Sequence, residues 1–220
     1  MYRQTRYLSR SLRQCGAPPP RVRHVALPFR ASLLATLVMT PQFTGCVRNP
    51  IAGDCPSTEP GALVISEIRG ANQNSEVAGD WIELFNATAT PLELSGTVIE
   101  LRRKDGGAEQ RVVVRRSVEL GPGEYAVLAR VDVAARPAFV DYGYGNDAPM
   151  GQYAAGAITV FGCGTQLDRV LYDALPTVGS YALSASAAPT AARNDDARQW
   201  CVDTQNANAG TPGQVNLVCP

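Results

Sequence analysis

The chain has 220 residues with 20 basic and 20 acidic side chains, a neutral total that suits one globular domain. That total hides an asymmetry: residues 1–45 carry seven arginines, no carboxylate and the only histidine, His24, so from Cys46 onward 13 basic residues face 20 acidic ones, a net charge near −7. An anionic body excludes nucleic acid, whose phosphates need a basic surface, and without a histidine it lacks the usual base for a serine or cysteine nucleophile.

A cationic head before an anionic body is the charge plan of an export signal and its cargo. Ala31 to Met39 is an apolar run of about nine residues, short of the roughly 20 that cross a bilayer as a helix, and it predicts a signal peptide over residues 1–45. Pro41 ends any helix there, and the small residues Thr44 and Gly45 lead an extended chain to Cys46. The run Phe43-Thr-Gly-Cys46 resembles the lipobox of bacterial lipoproteins, departing from it only in Phe43, where leucine is usual. The resemblance implies cleavage before Cys46, lipidation of its thiol and attachment to a membrane. Val47 rather than aspartate at the second mature position implies the outer membrane or cell surface. More than one acyl chain makes such an anchor stable, at about 0.8 kcal/mol per buried methylene.

Residues 46–60 hold Asn49-Pro50, Gly53-Asp54, Pro56 and Glu59-Pro60, which predicts a lipidated tether too polar to bury much surface. A single domain follows over 61–219. Leu63–Ile68 and Trp81–Phe85 carry the β-branched and aromatic bias of strands, with further strands expected at 97–101, 111–115, 124–130, 157–161 and 168–172. Asp105-Gly-Gly107 and Gly121-Pro-Gly123 supply turn chemistry between them. Short strands at such intervals without an amphipathic helix predict an all-β sandwich. Alternation within Trp81–Asn86 puts Trp81, Glu83 and Phe85 on one face and Ile82 and Leu84 on the other. Glu83 is then a carboxylate among aromatics, expected to accept hydrogen bonds from a neighbouring loop and so fix the register.

Beyond Cys15 in the leader and Cys46, four cysteines remain for an oxidising compartment: Cys55, Cys163, Cys201 and Cys219. Four cysteines allow three pairings. The expected one is Cys163 with Cys201 and Cys55 with Cys219, the second tying the start of the domain to its end. No pair has C-x-x-C spacing, so no metal site and no cofactor is expected.

The strand Leu63-Val-Ile-Ser-Glu-Ile68, the signature Asp80-Trp-Ile-Glu-Leu-Phe-Asn86, the run Pro91-Leu-Glu-Leu-Ser-Gly96 and the closing Gly-Thr-Pro-Gly-Gln-Val-Asn at 210 to 216 together resemble a lamin tail domain. Leu120-Gly-Pro-Gly-Glu-Tyr-Ala-Val-Leu128 and Ser180-Tyr-Ala-Leu183 fall where that family has its mid-domain turn and its late strand. The resemblance covers about residues 61–216 and implies an immunoglobulin-like β-sandwich, usually a non-catalytic module. The paired cysteines and the long stretch from Val131 to Ala155 depart from the family pattern.

Three surface features are candidates for recognition. Arg102, Arg103 and Lys104, with Arg111, Arg115 and Arg116 across the presumed hairpin, can form a basic patch or merely a solvated edge. The aromatic loop with Tyr142 and Tyr144, and Tyr153 beyond it, suits a binding surface or a cap on the sandwich. Asp141, Asn146 and Asp147, and Asn194, Asp195 and Asp196, offer oxygen ligands of the kind Ca2+ takes, though without EF-hand spacing. The expectation is a lipid-anchored binding, adhesion or scaffolding module at the bacterial envelope, with a membrane through its lipid and an envelope polysaccharide or protein as partners. The alternative is an exported hydrolase using carboxylates or Ca2+.

Overall fold

β-Branched runs punctuated by glycine turns give twelve strands. In the computed structural model, which describes residues 58–70, 79–132, 134, 136–145, 147–208 and 210–220, they are β1 (Leu63–Arg69), β2 (Trp81–Asn86), β3 (Leu92–Glu93), β4 (Val98–Arg103), β5 (Glu109–Val113), β6 (Glu119–Leu120), β7 (Tyr125–Ala129), β8 (Tyr142–Gly143), β9 (Gly156–Gly162), β10 (Thr165–Tyr172), β11 (Ser180–Leu183) and β12 (Trp200–Asp203). Two short helices, α1 (Ala191–Asn194) and α2 (Gln205–Asn208), and one 3-10 turn complete the regular structure of these residues. The expected signal segment, Cys46, Cys55 and the expected tether before residue 58 lie outside the described residues.

The strands form a six-stranded sheet in the order β12-β11-β1-β2-β7-β8, a four-stranded sheet in the order β10-β9-β4-β5, and a small β3-β6 ribbon. All pairings are antiparallel except β7 with β8. The chain is thus an all-β sandwich. Ile65, Ile68, Ile82, Leu84 and Leu128 of the first sheet meet Ile99, Leu101, Ile158, Val160 and Val170 of the second in one core, each full burial stabilising by about 1.5–3 kcal/mol. The predicted alternation in β2 holds, because Trp81 instead joins Val127, Ala129 and Val140 in a second cluster on the outer face. The long stretch after β7 supplies that cover through Val131, Phe139 and Val140.

Turn chemistry sets the hairpins. Cys163 and Gly164 both have positive φ, 49° and 81°, and connect Gly162 to its partner Thr165, the backbone a two-residue hairpin needs. The strand expected at 111–115 starts earlier, at Glu109, because the Arg103 N–H bonds the Gly107 carbonyl at 3.3 Å and closes the loop tightly.

The disulfide pairing differs from expectation: Cys201 is bonded to Cys219, with Cα atoms 5.8 Å apart. Cys219 lies beside the edge of the six-stranded sheet, its N–H bonded to Ser184 Oγ at 3.0 Å, because the chain end folds back over that sheet rather than towards the start of the domain. Cys163 is also in a disulfide, and its partner lies outside the described residues.

Candidate functional site

The bulge in β1 is where the site begins. The register with β2 shifts between Ile65 and Glu67, so Ser66 is an extra residue and both Ser66 and Glu67 stand near Glu83. Such bulges re-aim side chains locally. Ser66 Oγ donates to Glu83 Oε1 at 2.8 Å. The ladder between β1 and β11 stops at Glu67, and side chains then serve the Ile65 backbone. Asp168 Oδ2 accepts its N–H at 2.7 Å, and Asn194 Nδ2 donates to its carbonyl at 3.0 Å.

The C-terminal segment 210–219 closes over this face as a strap. Gly213 N–H donates to Glu83 Oε2 at 2.7 Å, which is the loop donor that the position of Glu83 demanded. Ser180 Oγ and the Thr211 N–H both donate to Glu67 Oε1. Asn216 Nδ2 donates to the carbonyls of Ser66 (2.8 Å) and Leu183 (2.9 Å), stitching the strap to β1 and β11. Gly210 has φ +84°, and a Cβ there would overlap Glu67 Oε1 and Ser180 Oγ. Glu67, Glu83 and Asp203 are all 0 % exposed.

Two of the three acids under the strap have their proton affinity raised. Burial pushes the Glu67 carboxyl up to about 7, and the charge of Asp203 pushes the same way against hydrogen bonds from Ser180 and Thr211. Glu83 is raised well above the ordinary range, first by burial and then by the charge of Glu67. Paired carboxylates with raised affinity for protons are an acid–base pattern when a cleft exposes them; here the pair is sealed beneath the strap.

Beside the strap lies a concavity of about 230 Å3 walled by Phe85, Tyr125, Ala185, Ala188, Pro189 and Val215. The Phe85 and Tyr125 rings sit 5.0 Å apart at 47°, and Val215, on the strap itself, is 66 % exposed. Burial, then the charge of Glu83, raises the Tyr125 phenol, linking groove to network.

The aromatic loop is not exposed. Tyr142 and Tyr144 are buried in the main core and Tyr153 packs against it, half-buried. Tyr142 Oη takes the Arg115 N–H at 3.2 Å and donates to the Val113 carbonyl at 3.0 Å, so the ring caps the sandwich with its polar tip satisfied. The basic patch is neutralised in place. Arg102 pairs with Glu109, Arg103 with Asp105 at 3.1 Å, Lys104 with Asp173 at 2.6 Å, Arg111 with Glu100 at 3.2 Å and Arg115 with Asp147. Arg116 lies over the Tyr142 ring, 5.3 Å from its centre.

Both loops read as Ca2+ candidates are occupied by structural bonds. Asp141 Oδ2 accepts the Val127 N–H at 2.8 Å, Asn194 is buried against Asp168, and Asp196 caps the 3-10 turn and pairs with Arg198. Asn146 lies outside the described residues. Among the described residues, no group of three or more acidic, cysteine or histidine side chains could hold a metal ion. Sequence reasoning missed Glu67, Asp203 and Thr211 as a unit. Only the buried-strand character of β1 signalled that Glu67 needed partners. Comparison with protein-family models, curated proteins and solved structures returned no match.

Proposed function

We propose that this chain is a non-catalytic binding or scaffolding module of immunoglobulin-like, lamin-tail character, exported and held at the bacterial outer membrane by a lipid on Cys46. One observation carries the reading: the polar side chains of the segments that resemble a lamin tail domain are spent on holding the domain together. Asn86 Nδ2 bonds the carbonyls of Thr90, Leu120 and Gly121, at 2.9, 2.9 and 3.0 Å. Asp80 Oδ2 accepts the Gln152 N–H at 2.9 Å and pairs with Arg130. Glu93 takes the N–H groups of Ser95 and Val118, and Glu83, Thr211 and Asn216 fasten the strap. A signature used for architecture leaves recognition to the surface, where the Phe85–Tyr125 groove offers apolar area with a polar tip. An extended segment of an envelope protein or polysaccharide suits a groove of that kind.

The test compares native protein with Cys46→Ala by mass and detergent partitioning, then follows co-sedimentation of the Cys46→Ala form with washed cell envelopes. Acylated, membrane-bound native protein and a detergent-free variant that still sediments with envelopes, but not once Tyr125→Ala is added, is the expected result. Identical unmodified termini in both forms would sink the anchor. Glycan turnover by the purified chain would return the hydrolase reading to the front.

A further inference from the structure

We propose that residues 210–216 are a proton-operated strap: a proton on Glu67, beside Asp203, latches it over the six-stranded sheet, and loss of that proton lets it open. The geometry rests on counting hydrogens. Thr211 Oγ1 lies 3.0 Å from Asn216 Oδ1, 3.1 Å from Asp203 Oδ2 and 3.4 Å from Glu67 Oε2. A threonine hydroxyl brings one hydrogen. Both hydrogens of the Asn216 amide are committed to the Ser66 and Leu183 carbonyls, so its Oδ1 only accepts. Three acceptor oxygens therefore surround one hydroxyl hydrogen, and whichever of them takes it, a proton on Glu67 supplies a second hydrogen that the charged cluster lacks.

The surroundings give an extra negative charge little relief. β2 brings Glu83 opposite Glu67, β12 brings Asp203, and β11 brings the neutral Ser180. Arg69, two residues along β1, also answers Asp80, and Asp141 and Tyr125 face Glu83 from the far side. Glu67 correspondingly holds its proton to about 7, and burial is the first cause. Opening the strap hydrates Glu67 and Glu83, so their proton affinity falls back and a proton leaves. Because Cys219 is fixed to Cys201, the strap opens as a loop with both ends held. Its movement carries Val215 away from the groove and uncovers Glu83, so the state of the strap sets the shape of the concavity.

Linkage fixes the direction and range of the effect. A closed-state carboxyl at about 7 against an ordinary 4.5 makes opening more favourable by about tenfold per pH unit between roughly 5 and 7, levelling off above. The measurement is amide hydrogen exchange of the full exported chain from pH 4.5 to 8.5, corrected for the intrinsic base-catalysed rate. Protection at Thr211, Gly213 and Asn216 is expected to fall on the order of a hundredfold between pH 5 and 7, while the β4–β9 ladder stays protected. In Glu67→Gln, whose amide can donate to Thr211 Oγ1 at every pH, the fall in strap protection between pH 5 and 7 is expected to be clearly smaller than in the native chain, with only Glu83 left to drive it. Constant protection of the native strap, a fall in step with the β4–β9 ladder, or a Glu67→Gln profile like the native one would each overturn the proposal. The native profile decides by itself if that variant does not fold.

Discussion

The outward faces of the two sheets handle acid in opposite ways. On the four-stranded sheet, Glu100, Glu109 and the nearby Asp173 each meet an arginine or lysine at the water's edge. On the six-stranded sheet, Glu67, Glu83 and Asp203 are sealed under the strap and, among the described residues, bonded to hydroxyls and amides with no ion pair. An exposed pair is screened by water and worth about 0.2–1 kcal/mol. A sealed carboxylate has no such cushion, because burial disfavours its charged form and each missing donor carries a full desolvation cost. The covered face is therefore where small chemical changes have large consequences.

The largest is expected from Gly210→Ala. A left-handed backbone disfavours any side chain, and the new methyl overlaps Glu67 and Ser180; together these cost about 4 kcal/mol, read as a lower urea midpoint. If the midpoint hardly moves, the strap contributes little to the folded state and the contrast between the faces weakens. Next comes removal of the Cys201–Cys219 bond by a double serine substitution. The bridge closes a loop of 18 residues, so about 3 kcal/mol is expected by loop entropy. Peptide mapping of the same protein under non-reducing conditions should join Cys163 to Cys55, the expected partner once Cys201 and Cys219 are bonded to each other.

Acidity separates the faces more gently. Glu67 has its folded-state affinity raised, so its contribution is fully present below about 4.5 and is lost as pH climbs to about 7. Glu93 works the other way: although partial burial opposes it, bonds from Ser117, Val118 and Ser95 hold it below the usual range, so its contribution is present above 4.5 and lost on acidification. Between pH 5 and 7 the Glu93 effect is already complete, and urea unfolding should show a decline of at least roughly 2 kcal/mol from Glu67, with Glu83, also raised by burial, acting in the same direction. A stability that rises over that interval would mean the buried acids are already charged.

Much of the sandwich was legible in the sequence, since its signals are local. β-Branched runs marked β1, β2, β4, β9 and β10, and period-two alternation put Glu83 inside with a loop donor to find. Sequence alone could not bring Glu67, Asp203 and Thr211 together, because they come from β1, β12 and the strap, and one bulge at Ser66 decides which way β1 points them. The tyrosines left two readings open, a binding surface or a cap, for a related reason. Tyr142 sits on a two-residue strand that joins β7 in parallel, too short to leave a period, and that pairing turns its ring inward. The cysteine pairing followed an argument about ends meeting, whereas the chain end returns to the edge of its own sheet.

The smallest expected effect is on the open face, and it bears on where a partner should be sought. Arg102 and Glu109 are cross-strand neighbours on β4 and β5 as well as an ion pair. A double-mutant cycle with Arg102→Gln and Glu109→Gln should give a coupling of about 0.5 kcal/mol that fades in 1 M salt. A coupling several times larger would mean that these charges are desolvated, and the face would have to be treated as a built surface rather than a wetted one. With the small value, its cations are balanced one by one and offer little net field to an anionic polysaccharide. The proposed recognition would then fall to the apolar groove beside the strap, where Tyr125 and Val215 present surface that no charge pairing consumes.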